Sequence, residues 1–174
     1  MRDFYTLVRD CVEFNQYVRD DVQRGTMNEL QITAATRPIK TLQMLRLQNA
    51  ITAVGMFSMF DAIIQQELGC ADGFHAAGEL LKKRGATALM EQFCDLQLGI
   101  NVLKHGRGRS YDALIKKARV LSFKIKLPNE LFFSEGDVSE VSTLIDVDHA
   151  FLLLCAEVIR EVSLVACAGD EGRT

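Results

Sequence analysis

The chain reads as an all-α protein: a helical bundle of four long helices around one core, with a short helix and a small β-hairpin insertion at about 120–133. Three observations predict this. Apolar residues recur at three- and four-residue spacing through four long stretches. Only two prolines interrupt the 174 residues. Period-two alternation occurs in one place, where Leu121, Phe123, Ile125 and Leu127 are separated by Ser122, Lys124 and Lys126. At 48% hydrophobic residues the chain has enough apolar surface for one packed core, and no repeat or linker divides it, so 1–174 is taken as a single domain.

The first helix is expected from Phe4, Val8, Cys11, Val18 and Val22, which fall on one stripe, with Gly25 as its stop. The stretch 26–38 is polar and ambiguous. The second helix spans roughly 40–68. Leu47, Ala50, Ile51, Val54, Phe57, Ile64 and Leu68 share one face, while Met56, Met59, Phe60 and Ile63 carry the apolar surface most of the way round. A helix of that kind lies at the centre of a core or is shared with a partner subunit. A turn over 69–73 ends it. The third helix, about 86–103, shows Leu89, Phe93, Leu96, Ile100 and Leu103 at alternating four- and three-residue spacing, with Glu91, Gln92 and Asp95 on its other face. Ser110 is the expected N-cap of a short helix reaching about residue 118. The alternating segment then forms one strand, Pro128-Asn129-Glu130 the turn, and 131–133 the returning strand. The last helix starts near Asp146 or Asp148 and runs to about 168, with Phe151, Leu154, Cys155, Val158, Val162 and Val165 inward and a frayed tail behind it.

A formal net charge of −3 argues against a surface that coats nucleic acid, so a basic cluster here acts as a focused site. Five scattered cysteines, odd in number and without a Cys-x-x-Cys pair, are expected as reduced thiols packed as small hydrophobes. The start, Met1-Arg2-Asp3-Phe4, has no basic-then-apolar leader pattern, and the longest apolar run, 150–156, is far short of the ~20 residues that cross a bilayer. A cytoplasmic protein with no membrane contact is expected.

The stretch 101–111 stands out. Asn101 and His105 are four residues apart and share a helical face. Gly106 and Gly108 permit positive φ and close backbone approach to a ligand. Ser110 opens a new helix whose unpaired N–H groups favour an anion. Lys104, Arg107 and Arg109 add positive charge, and a guanidinium grips two phosphate oxygens at once. His105 is able to move a proton near neutral pH. These parts suit a phosphodiester. A solvated structural turn has the same composition, and a histidine at a helix end is also simply a favourable C-terminal charge.

An apolar helix ending in Asn-x-x-x-His, followed by a turn and another helix, resembles the HEPN superfamily over roughly 45–118. The resemblance implies an all-helical domain, a homodimer, and either a metal-independent endoribonuclease or an inactive partner in stress, toxin–antitoxin or defence systems. It implies His105 as the acid–base group, Asn101 orienting it or the substrate, and Lys104, Arg107, Arg109, Ser110, Gly106 and Gly108 holding phosphate. Met59-Phe60-Asp61-Ala62-Ile63-Ile64 resembles the family's second core helix, which makes Asp61 a supporting carboxylate; Tyr111 is placed beside the site. The family's arginine is absent, because its permitted positions hold Leu98, Gly99 and Ile100. Losing one charge-stabilising group costs ~3 kcal/mol, or ~100-fold in rate, so weakened or absent cleavage with retained anion binding is expected.

Asp61 on a core stripe is alternatively an acid bonded to a helix end or to a basic side chain, with His105, Lys104, Arg107 or Arg109 as the expected partner. Asp95 faces either the same groove or solvent. His75 and His149 lack a second histidine at metal-binding spacing, and Asp72-x-x-His75 and Asp146-x-x-His149 read as capping or surface residues. No Glu-x-x-His pair, phosphate-binding loop or nucleophile elbow occurs, so no metal or cofactor is expected. The expected partners are a second copy, RNA or a nucleotide, or a protein bound by a non-catalytic interaction module.

Overall fold

The computed structural model describes residues 2–32, 36–130 and 143–167, and among these the protein is all-helical. In chain order the helices are α1 (Arg2–Ile32), α2 (Thr36–Leu68), α3 (Gly73–Lys83), α4 (Thr87–His105), α5 (Arg109–Ile115) and α6 (His149–Cys167). Helices α2 and α6 occupy the middle, each packed against α1, α3 and α4 as well as against each other.

Helix α1 runs straight through Gly25 to Ile32. A glycine inside a helix costs only about 1 kcal/mol relative to alanine. A glycine stop takes left-handed backbone, and positive φ is found instead at Gly69, Gly85 and Gly106. The inward face of α1 is set by Val8, Val12 and Thr26, with the Thr26 hydroxyl donating to the Val22 carbonyl (2.7 Å). Cys11 and Val18, expected on that face, point outward.

The core of α2 is Ala50, Ala53, Met56, Phe57, Phe60 and Ile64. Leu47, Ile51, Met59 and Leu68 are exposed, so its apolar circumference is only partly covered. By length and composition α2 alone among the described helices is apolar enough to cross a bilayer, but 39% of its most apolar window is buried inside the protein. Phe57, Phe60 and Phe93 have no accessible surface, and Phe93 meets Phe57, Phe60 and Phe74 with centroids 6.4, 6.3 and 5.5 Å away. Burying each such ring contributes ~2–3 kcal/mol.

Two contacts fix how α1 lies on α2. Phe4 stacks on Phe60, and the Asn15 Nδ2 donates to Asn49 Oδ1 (3.2 Å), so the helices are antiparallel. Asn49 is 1% exposed and gives its own Nδ2 to the Val147 carbonyl just ahead of α6 (2.9 Å).

Helix α3 was not anticipated from the sequence. The Asp72 side chain caps it by accepting from the His75 amide (2.9 Å), and the Asp61 Oδ1 accepts from the Phe74 amide (3.1 Å). The chain comes very close here. A Cβ on Gly73 would stand 2.6 Å from the Asp61 carbonyl oxygen and 2.7 Å from Asp61 Oδ1. Gly73 is therefore a contact requirement between α2 and α3.

The alternation at 121–127 is real as a burial pattern, with Phe123 and Ile125 buried and Ser122 and Lys124 exposed. Its partner differs from the expected hairpin. Ile125 makes one antiparallel bridge with Ile145, flanked by Lys126 N–H to Leu144 O (2.8 Å) and Asp146 N–H to Lys124 O (3.1 Å). Two bonds are too few for a ladder, so no strand forms among the described residues. The turn at Pro128-Asn129-Glu130 is present, with Asn129 at φ 68° and Glu130 N–H bonded to Leu127 O (3.1 Å). The proposed returning strand at 131–133 lies outside the described residues, as does the expected tail. Helix α6 begins as expected, Asp148 accepting from the Phe151 amide (2.8 Å). His149 is its first residue; its Nδ1 is shielded and bonds no described group.

The five cysteines are free thiols. Cys155 is fully buried in α6 and burial raises its pKa strongly, which makes it inert. Cys11 and Cys94 are exposed rather than packed.

Candidate functional site

The basic turn is built by two helix ends. Helix α4 stops at His105 because Gly106 takes φ 72°, with its amide bonded to Val102 O (2.8 Å). Gly108 is extended at φ 164°, so only Gly106 uses the left-handed freedom expected of both. Helix α5 starts two residues earlier than expected, at Arg109, with Gly108 rather than Ser110 as N-cap and no side-chain capping bond. Ser110 therefore sits inside the first turn of α5. That helix ends at Ile115, ahead of the expected 118, and turns follow it.

Lys104, His105, Arg107 and Arg109 are all exposed. The Arg107 guanidinium lies 5.8 Å from the centroid of the Tyr111 ring, within cation–π range. Tyr111 itself is 3% exposed and its hydroxyl donates to the Lys126 carbonyl (2.7 Å). Its role is to anchor the 121–127 segment beneath the turn. His105 makes no hydrogen bond to a described residue, so no described group fixes its tautomer or ring orientation.

The positions that would hold the family's arginine are packed. Ile100 is 4% exposed. Gly99 lies under Phe123, whose Cζ would be 3.2 Å from a Cβ placed there. Leu98 packs against the core edge. Asp61 is also engaged, Oδ1 by the Phe74 amide and Oδ2 by Gln65 Nε2 (2.8 Å). Of its expected partners the helix end is the one found; none of His105, Lys104, Arg107 or Arg109 bonds it. Asp95 of α4 pairs with Lys117 in the turn after α5, and it is not among the residues that line the groove described next.

Beside the turn lies a groove of about 580 Å³ between α2, α3 and α4. Helix α2 contributes Phe57, Ser58 and Asp61; the start of α3 contributes Asp72, Phe74 and His75, with Gly78 and Glu79 one turn on. From α4 come Met90, Cys94, Gln97, Asn101 and Lys104, one stripe at alternating four- and three-residue spacing, and the edge of Ile100. The structure therefore brings together three of the expected residues, Asn101, Lys104 and Asp61, while His105, Arg107 and Arg109 stay outside the groove. Gln97 was missed from sequence. Its Nε2 is shielded from solvent and has no acceptor among the described residues, whereas buried polar groups are ordinarily paired. Burial and the neighbouring Asp95 carboxylate raise the Cys94 thiol, against a smaller lowering by Lys117, so Cys94 is no thiolate nucleophile.

Among the described residues no three His, Cys, Asp or Glu side chains converge as a metal site. The turn gathers four exposed basic side chains, and a half-apolar groove lies next to it. Compared with known proteins, the chain matches no family model, no curated protein and no solved structure.

Proposed function

We propose that the chain is a HEPN-like helical module that binds the phosphates of RNA or of a nucleotide at the 101–111 turn, without efficient cleavage, and acts as a homodimer in the cytoplasm. The observation that carries this reading is electrostatic. Lys104, His105, Arg107 and Arg109 face solvent together, and none of them forms an ion pair with a described carboxylate. On a chain of formal net charge −3 such a cluster concentrates positive field in one place. Binding is favoured over cleavage because Ile100 is packed, Asp61 is committed to α3, and His105 has no orienting partner among the described residues.

The dimer rests on a different face. Leu7, Phe14, Tyr17 and Val18 on α1 are 41–74% exposed, and Met44, Leu47, Ile51 and Met59 on α2 are 48–60% exposed. The α1–α2 register brings Phe14 level with Ala50, Val18 with Arg46 and Leu7 with Phe57, so the two stripes lie at the same heights on adjacent helices. At on the order of 100 Å² apiece, these side chains supply ~800 Å², the share one partner gives to a standard interface. A second copy is the occupant that matches this area with the same surface.

The test combines cleavage and binding. Wild type and His105→Ala are incubated with structured RNA in chelator, and equal background is expected from both. Cleavage to 2′,3′-cyclic phosphate ends that disappears in His105→Ala would establish the ribonuclease alternative. RNA binding should weaken with salt, and removing Arg107 and Arg109 together should lower the slope of log K against log salt by about 1.4 for single strands. Failure of the wild type to bind RNA or nucleotide at low salt would overturn the proposal.

A further inference from the structure

We propose that the groove between α2, α3 and α4 is a nucleobase pocket, which takes an amino-bearing base (adenine, cytosine or guanine) of the nucleotide whose phosphate sits at Lys104. This rests on the phosphate reading above and assigns the adjoining groove a ligand of its own.

Size and lining suit a planar polar ring. At about 580 Å³ the groove lies within the usual range of small-molecule pockets. Phe74 is half-buried and held edge-on by both Phe57 (6.0 Å) and Phe93 (5.5 Å), so its ring is a fixed wall. Met90 adds a polarisable surface from α4. Bases stack on such aromatic walls at little cost in sequence tolerance.

The polar groups choose between bases. Gln97 presents a shielded amide donor with no acceptor, and a ring nitrogen or carbonyl of a base would satisfy it. Glu79 of α3 lines the groove together with Asp61 of α2 and Asp72 ahead of α3; the last two already accept bonds from α3 amides, but each carboxylate oxygen has a second lone pair. Carboxylates accept, so they match exocyclic amino groups; uracil offers only its N3–H, and its O4 oxygen faces acceptors where cytosine places an amino group. The carboxylates also repel a bare anion from the interior.

The charge runs the right way along α4. Lys104 lies seven residues beyond Gln97 on the same stripe, ~10 Å along the helix axis, a span one nucleotide covers from base edge to phosphate. Arg107 and Arg109 follow just past it. A ligand lying along α4 therefore meets acceptors and an amide first and cations last.

The probes are AMP, CMP, GMP, UMP and inorganic phosphate, titrated into the full chain by calorimetry. Wild type should bind at least one amino-bearing nucleotide ten-fold or more tightly than UMP or phosphate. Gln97→Leu should remove that advantage and leave phosphate binding unchanged. Gly78→Leu is a second variant for the case that Gln97→Leu folds poorly. A Cβ at Gly78 meets nothing within 4 Å and Gly78 lines the groove, so the leucine should occupy the space of the base while the thermal midpoint holds. Equal affinity for all four nucleotides and phosphate, or full nucleotide affinity in Gly78→Leu, would overturn the pocket and leave the phosphate reading standing. Binding of an arginine-rich peptide with no nucleotide binding would overturn the pocket too, and loss of phosphate and RNA binding altogether would take both readings down.

Discussion

Alanine at position 73 should destabilise the protein although it replaces a glycine at a helix start. Gly73 has no positive φ, so on helix propensity alone alanine would be neutral or favourable by up to about 1 kcal/mol. Space decides the other way. The new Cβ would fall 2.6 Å from the Asp61 carbonyl oxygen, 2.7 Å from Asp61 Oδ1 and 3.1 Å from Ile64 Cβ. Two of these atoms cannot swing aside, because the carbonyl belongs to the α2 backbone and Ile64 is 1% exposed. Overpacking of this kind costs ~1–3 kcal/mol. Moving α3 away also stretches the Asp61 Oδ1 to Phe74 N–H bond, a cap worth ~1 kcal/mol. The sum is about 2–4 kcal/mol. Urea titration should show the midpoint falling with m unchanged, and calorimetry a midpoint lower by ~4 °C or more. The Asp61→Ala background should soften the effect, since one of the two close oxygens is then gone. A Gly73→Ala protein within 0.5 kcal/mol of wild type would refute the close-approach argument.

Two further outcomes follow from other regions. Asp146 is raised above the ordinary carboxylate value by burial and by Asp148, against lowering by Lys124 and Arg46. Its protonated form is therefore the one the fold favours, and its contribution is best below the usual carboxylate pKa and is lost as pH rises through the raised value. Asp146→Asn should be more stable than wild type at pH 7, with the gap closing towards pH 3 in parallel urea melts; a variant less stable at pH 7 would contradict this. Phe14→Asp and Ile51→Asp place charge on the exposed α1 and α2 stripes, and each should convert a sedimenting dimer to monomer while helical content is kept. A wild type that sediments as a monomer at high concentration would remove the homodimer.

Much of the fold was legible because it is written locally. Phe93, Leu96 and Ile100 are buried as their spacing predicts, and Asp148 starts α6. Misreadings arose where the deciding contact is distant. Val12 was left off the α1 stripe although it is fully buried, since α1 has apolar residues on two sides and only packing tells which faces in. Helix α3 was missed because it is one of the shorter elements and its signals are terminal: Asp72 as cap, Phe74, Ala77 and Leu81 at helical spacing, and Gly85 at φ 70° as the stop. The strand partner at Ile145 was available in the alternating burial of Ile145 and Val147, but the turn at 128–130 pointed to a nearer one. The turn at 101–111 was legible as an exposed basic cluster between two helices. The groove beside it was not, since its walls come from residues 57–104 on three helices and only the α4 stripe has a periodic signature.

Asn49 has a consequence beyond its two bonds. Helix α1 is 31 residues long, and a one-turn slide along α2 would break the Phe4–Phe60 stack and move Val8 and Val12 from their buried places. Such a slide would carry Asn15 away from the Asn49 Oδ1 and strand that oxygen in the interior, at ~1–3 kcal/mol, while Val147 keeps the amide end pinned. The residue works as a detent. The buried amide thereby helps set the height at which the exposed stripe of α1 lies beside that of α2, so the alignment of the two stripes is held from within by a polar atom.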